Sequence, residues 1–264
     1  MNTQKQIVPA LFVSHGSPMN AIAQNAYTAD LNKIGDAFKN VSAVLVISAH
    51  WETDGIYVTA SEDLETYHDF RGFPQELFDA KYPVKGALDL IPELEELTGE
   101  RIMQDTKRGL DHGAWSMLLH LFPEKKIPVL QMSLDRNRSF EEHLELAKKL
   151  APLREKNVLI LASGNLTHNF SHLNFSNENA KPYEWAVEFD ELIKKAFLNN
   201  DSSALVHIKE TGQLFRLNHP SDDHYIPLLY LMGLKRADDK VEFPHMSWQF
   251  GTMSMRHILL EHLN

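Results

Sequence analysis

Five short apolar runs rich in β-branched residues, each bounded by turn residues, constrain the fold of this 264-residue sequence more than any other feature. They lie at 9–14 (PALFVS), 44–48 (VLVIS), 56–59 (IYVT), 127–133 (IPVLQMS) and 158–162 (VLILA). Unbroken apolar runs of this length read as strands buried on both faces. Helical patterns fill the intervals at 25–38, 84–98, 114–121, 140–153, 182–199 and 226–232, several with leucines three or four apart and charges opposite. Such alternation implies an α/β fold, a single domain with a mainly parallel or mixed central sheet flanked by helices. No repeat, low-complexity tract or Gly/Ser linker marks a boundary, so residues 1–264 are expected to form one domain. The stretch 244–260, with Trp248, Phe250, Met253 and Met255 around Gly251, admits either a last pair of strands or a strand followed by a helix.

Composition narrows the function. With 43% hydrophobic and 23% charged residues the chain reads as globular rather than fibrous or disordered. Lysine plus arginine number 26 against 36 acidic residues, a net charge of −10, and no basic block exceeds two residues, so no nucleic-acid partner is expected. No apolar stretch approaches the roughly 20 residues of a membrane span. No basic head or small-residue cleavage site accompanies the apolar run 7–13, and a cytoplasmic location with no membrane partner is expected. The absence of cysteine removes disulfides, thiolate metal sites and cysteine nucleophiles together, leaving His, Asp, Glu and other oxygen donors for any metal. Fourteen histidines become the feature to explain.

Three of the strand-like runs lead directly into histidine-bearing turns: VSHGSP with His15, ISAHWE with His50 and LASGNLTH with His168. Ligands of open α/β sheets sit beyond the carboxyl ends of the strands, so these three imidazoles are candidates for one cavity. Gly16 and Pro18 after His15, and Gly164 before His168, allow the backbone to turn sharply there. His224, in NHPSDDHYIPLL, stands at the start of a helical pattern that Ser221 or an aspartate can cap. Asp222 and Asp223 beside it are candidate acceptors for the outer nitrogen of a ligand imidazole. His112, in GLDHGAW, is a fifth candidate. A single histidine in a turn is more often structural than a ligand, and it is the shared strand-end setting that favours a common metal site. His68, His120, His143, His172, His207, His219, His245, His257 and His262 lack that setting and are expected to face solvent or to cap.

Other chemistries find less support. Ser14 and Ser163 do not stand in a G-x-S-x-G elbow, and neither G-x-G-x-x-G nor G-x-x-x-x-G-K-[ST] occurs. The carboxylates Glu93, Glu95, Glu96, Glu141 and Glu142 fall on amphipathic helical patterns and read as solvated faces.

Six ordered blocks nevertheless resemble one family: HGSPMN at 15–20, SAHW at 48–51, HDFRGFPQELFDAKYP at 68–83, GLDHGAW at 109–115, SGNLTHN at 163–169 and PSDDHYIPLLY at 220–230. Together they resemble the 4,5-DOPA extradiol dioxygenase family, within the class III extradiol ring-cleavage superfamily. The resemblance implies that His15, His50 and His224 are metal ligands, with His224 standing where the wider superfamily has a glutamate. It implies that His168 is the acid–base histidine, near enough to the metal to act as a fourth ligand, and that His112 lines the active site beside substrate and dioxygen. Fe(II) is the cofactor expected for activity, and Zn(II) also suits three imidazoles.

The partners so implied are a small-molecule catechol such as DOPA and dioxygen, the product a ring-opened semialdehyde. A zinc-dependent hydrolase using metal-bound hydroxide is the alternative that three histidines also admit. On this reading Trp51 and Tyr225 are candidate aromatic walls, with core packing the equal alternative for Trp51. Arg71, Lys81 and Lys107 are candidate partners for a substrate carboxylate, against ordinary surface roles.

Overall fold

The computed structural model describes residues 7–262. In chain order its strands are β1 (Ala10–Ser14), β2 (Ala43–Thr53), β3 (Tyr57–Thr59), β4 (Asp63–Leu64), β5 (Val84–Lys85), β6 (Met103–Asp105), β7 (Val129–Asp135), β8 (Val158–Gly164), β9 (Asp239–Glu242), β10 (Trp248–Gln249), β11 (Met253–Ser254) and β12 (Ile258–His262). Eight of them form one mixed sheet in the order β6-β3-β7-β2-β8-β1-β12-β9. Its centre, from β7 through β2 and β8 to β1, is parallel, and β12 and β9 add antiparallel strands at one side. Pairs β4/β5 and β10/β11 stand apart.

The helices are α1 (Ala26–Phe38), α2 (Gln75–Asp79), α3 (Leu90–Thr98), α4 (His112–Leu121), α5 (Phe140–Leu150), α6 (Glu184–Asn199), α7 (Ser202–Val206), α8 (Gln213–Asn218) and α9 (Ile226–Leu234). Alternation along the central strands divides the apolar side chains between two cores. Phe12, Leu45, Ile47 and Ile160 face a core closed by α3, α5, α6 and α9. Leu11, Val13, Val46 and Leu161 face a second, closed by α1 and α4. Covering both faces is what makes these strands continuous apolar runs.

The α/β class and the five strands therefore stand, with three differences. The helix expected over 84–98 begins only at Leu90, because Val84–Lys85 pairs with Asp63–Leu64 and Gly86 bridges to Val129. Residues 244–260 form no helix: β10 and β11 make a hairpin, and the chain then enters β12 between β1 and β9. Strands β6 and β9 carried no apolar run because they are the sheet's two edges, where polar residues are tolerated and discourage further pairing. No helix among the described residues is long and apolar enough to cross a membrane.

The histidines outside the strand-end set also differ from expectation. His172 and His207 are exposed, but His143, His219, His245 and His257 are buried. His219 Nε2 bonds the Leu166 carbonyl at 2.8 Å, His143 Nδ1 meets the Tyr230 hydroxyl at 3.2 Å, and His245 Nδ1 meets Asp30 at 2.9 Å. Neither ring nitrogen of His257 has a partner. Burial, helped by the neighbouring His245 charge, pushes the His257 pKa down to about 3, and burial brings His143 and His219 to about 4.

Each of these rings takes up its proton in the unfolded chain near pH 6.5 but in the folded protein only at much lower pH. Their stabilising contribution is complete above pH 6.5 and is lost as pH falls toward the folded values, at about 1.4 kcal/mol per pH unit for each proton. Urea unfolding at pH 7 and pH 5 should show this loss, and His257→Leu should shrink the difference between the two pH values by roughly one proton's share. An unchanged difference in that variant would contradict the assignment.

Candidate metal centre and active site

The parallel register carries the site. Val13 and Ser48 are both level with Ser163, so β1, β8 and β2 end side by side. His15 follows β1 directly, with Gly16 turning the chain at φ 62°. His50 lies in β2 where the pairing with β7 shifts register between Ile47 and Glu52, an irregularity that re-aims side chains near sites. His224 precedes α9 and is held against the end of β8, where the Asn165 amide donates to its carbonyl at 3.2 Å. A Cβ on Gly164 would come within 2.4 Å of that same carbonyl oxygen, so only glycine permits the approach.

These placements bring His15, His50 and His224 together with one ring nitrogen from each inside a 4.8 Å span. Their outer nitrogens are fixed. Ser163 gives its single hydroxyl proton to the Gly113 carbonyl at 2.5 Å, so its oxygen accepts from His15 Nδ1 at 3.0 Å. His224 Nδ1 donates to Asp223 Oδ2 at 2.7 Å, and His50 Nδ1 faces Asp69 Oδ2 at 3.5 Å. Each Nε2 then carries a lone pair turned inward. The Nε2 atoms of His15 and His50 are 3.0 Å apart, about the span of two nitrogens roughly 2.1 Å from one ion with their bonds near a right angle. His224 Nε2 is buried with no hydrogen-bond partner. This donor set fits a divalent metal ion that accepts imidazole nitrogen.

Protonation states agree with that use. The pKa values of His15 and His50 lie well below the ordinary histidine range, first because both rings are buried and then because the cluster's other imidazoles repel a proton. Burial raises the Asp223 carboxyl, but the hydrogen bonds from His224 and Ser221 and the charges of His224 and His168 together outweigh it, and the net shift is downward. Asp69 behaves alike: burial raises it, His112 lowers it, and the net shift is downward.

His168 stands outside the three-nitrogen set. Its ring lies flat on His224, centroids 3.6 Å apart and planes within 6°, with Phe170 edge-on at 4.7 Å. Its pKa is held well below the usual value by burial first and by His224 next. His112 opens α4 with Asp111 as the helix cap, and both its backbone N–H and its Nδ1 reach Asp69 Oδ1 at 2.9 Å. The five histidines and Asp69 line one end of a cavity of about 500 Å³ whose remaining lining includes Phe70, Phe73, Phe170, Phe175 and Phe250.

Several expectations change. Trp51 and Tyr225 are not walls: Trp51 is buried under the Arg108 guanidinium, 4.5 Å from its ring, and Tyr225 sits in the core donating to the Leu205 carbonyl. Neither Ser221 nor an aspartate caps α9; Ser221 donates to Asp223, and Asp222 pairs with Lys209 instead of a ligand histidine. Of the three candidate cations only Arg71 lines the cavity. The sequence alone marks neither Asp69 nor the orienting role of Ser163. Asp69 follows His68 inside the HDF block, and no spacing rule flags an aspartate that serves two histidines 19 residues before it and 43 after it.

Comparison with known proteins gives the family. The family model described as the catalytic LigB subunit of aromatic ring-opening dioxygenase matches residues 8–259, and the chain belongs to that family. It is an enzyme of the extradiol dioxygenase class. It is 37% identical to a 4,5-DOPA dioxygenase extradiol of Escherichia coli (strain K12), over 94% of this chain and 93% of that protein. It is 35% identical to a 4,5-DOPA dioxygenase extradiol of Beta vulgaris, over 96% and 97%. A crystal structure of an uncharacterized protein from Escherichia coli K12 superposes with a TM-score of 0.81 at 32% identity, covering 96% of this chain and 99% of that one.

Removing any of the three inward nitrogens should abolish binding before it harms folding. His15→Ala, His50→Ala and His224→Ala are expected to lose metal after dialysis, while Ser163→Ala and Asp223→Ala weaken its affinity about 10- to 100-fold. Elemental analysis and chelator competition measure both, and a His224→Ala protein holding stoichiometric metal would refute the site.

Proposed function

We propose that residues 1–264 act as one catalytic domain that opens the ring of a side-chain-bearing catechol such as DOPA with dioxygen, giving a semialdehyde, with Fe(II) held by His15, His50 and His224. The convergence of three inward imidazole nitrogens on a phenylalanine-lined cavity carries this reading. When bound, the ion supplies positive charge that favours a catecholate and leaves coordination positions open to the cavity. Zn(II) suits the same three nitrogens and is the competing occupant. Family membership sets aside the zinc hydrolase that the histidines alone also admit.

The protein's own groups divide the remaining work. His168, beside His224 but outside the ligand set, accepts the phenolic proton and returns it later in the reaction. His112 is anchored through Nδ1 to Asp69, which fixes its ring at the cavity. From there it donates to an oxygen of substrate or dioxygen as negative charge develops. The phenylalanines hold an aromatic ring and keep water from the reacting face.

Protein loaded with iron anaerobically should take up dioxygen with catechols and give a coloured ring-opened product. His168→Gln should retain metal and lose roughly 10²- to 10⁴-fold in turnover. Absence of uptake across a broad catechol panel, with iron verified in the site, would overturn the reading.

A further inference from the structure

We propose that Arg71 binds a carboxylate on the substrate's side chain, so that the site selects catechols with an anionic arm over those with a neutral or cationic one. This specificity rests on the ring-cleavage reading above. Among the described residues, Arg71 is the only lysine or arginine lining the cavity. Its side chain is exposed and has no hydrogen-bond or ion-pair partner among the described residues. Arg154 is committed to Asp239, Arg256 to Asp190, Arg138 to Glu100 and Arg236 to Glu155, while Arg101 and Arg216, which like Arg71 have no ion pair among the described residues, lie outside the cavity lining.

Its position follows from the chain. Two residues span at most about 7 Å, so Arg71 lies close to Asp69, whose carboxylate faces His50 and His112 beside the metal centre. Phe70 between them packs edge-on against His112 at 5.7 Å and against Phe73 at 5.3 Å, fixing the segment along the cavity. Phe170 and Phe175, 64% and 74% exposed, add apolar surface to the same cavity. A guest that puts two hydroxyls on the metal, a ring among phenylalanines and an anion at the guanidinium matches all three regions, and arginine's fork suits a carboxylate.

A cationic arm finds no counterpart. Among the described residues, Asp69 is the only carboxylate lining the cavity, and both its oxygens face histidines, Oδ1 toward His112 and Oδ2 toward His50. Asp223, nearby, is held by His224 and Ser221.

The test compares 3-(3,4-dihydroxyphenyl)propionate, 4-ethylcatechol and dopamine. Anaerobic equilibrium binding to the metal-loaded protein is measured beside dioxygen uptake. The propionate should bind roughly tenfold more tightly than 4-ethylcatechol, the scale of one charge-assisted contact in a partly wet site, with dopamine weakest. In Arg71→Gln the propionate-to-ethylcatechol ratio should collapse toward one, and Arg71→Lys should keep part of it. Because each protein serves as its own control through the ratio, a general loss of affinity does not mimic the effect. A ratio near one in the unmodified protein, or one unchanged in Arg71→Gln, overturns the proposal. An intact, Arg71-dependent ratio without dioxygen uptake on any of the three compounds would sink the ring-cleavage reading and leave the carboxylate contact standing.

Discussion

Three imidazole lone pairs turned toward one another in a buried volume are the constraint on which this molecule depends. Serine and carboxylate partners fix the outer nitrogens of His15, His50 and His224, so no ring can flip to relieve the confrontation without breaking a contact. A buried polar group left without a partner costs on the order of 1–3 kcal/mol, and His224 Nε2 is such a group. A divalent ion converts that cost into coordination bonds. The outer contacts hold the three rings in position, so that binding a cation would need no rearranged side chain.

The sheet makes the confrontation unavoidable. Strands β1, β8 and β2 are adjacent and parallel, so the residues at their carboxyl ends meet regardless of the length of chain between them. Level pairing puts Ser163 within reach of His15, and the irregularity in β2 frees His50 from strict strand geometry. The third imidazole, His224, arrives from a helix start and not a strand end. It is locked by the close passage of its carbonyl over Gly164, the reason a glycine is needed there. Two apolar cores, one on each face, hold the sheet rigid enough to keep these positions.

Legibility in the sequence followed the physics of burial. Strands covered on both faces announce themselves as apolar runs, whereas β6 and β9, at the edges, carry the polar residues that edges require. The strand-end histidines could be singled out because a turn after a buried strand is a recognisable context. His219 and His257 have no such context, since their burial is decided by distant packing: His219 sits among Phe189, Phe215 and Tyr225, and His257 beside Tyr27 and His245. Asp69 was illegible for a related reason. Its importance comes from serving two rings at once, His50 earlier in the chain and His112 later, and that triangle exists only in three dimensions.

The distribution of charge explains why a neutral ligand set suits this chemistry. No carboxylate belongs to the three-nitrogen group; the nearest, Asp69 and Asp223, stand behind the imidazoles and bind their outer nitrogens. Those carboxylates raise the donor strength of the rings while leaving the inner face uncharged. An ion held there would keep its charge toward the cavity instead of being neutralised by the protein. Asp69 adds a further effect, because its Oδ1 meets both the backbone N–H and the Nδ1 of His112 and so fixes that ring at the cavity. The same aspartate thus orients two rings at once, one oxygen meeting His50 and the other His112.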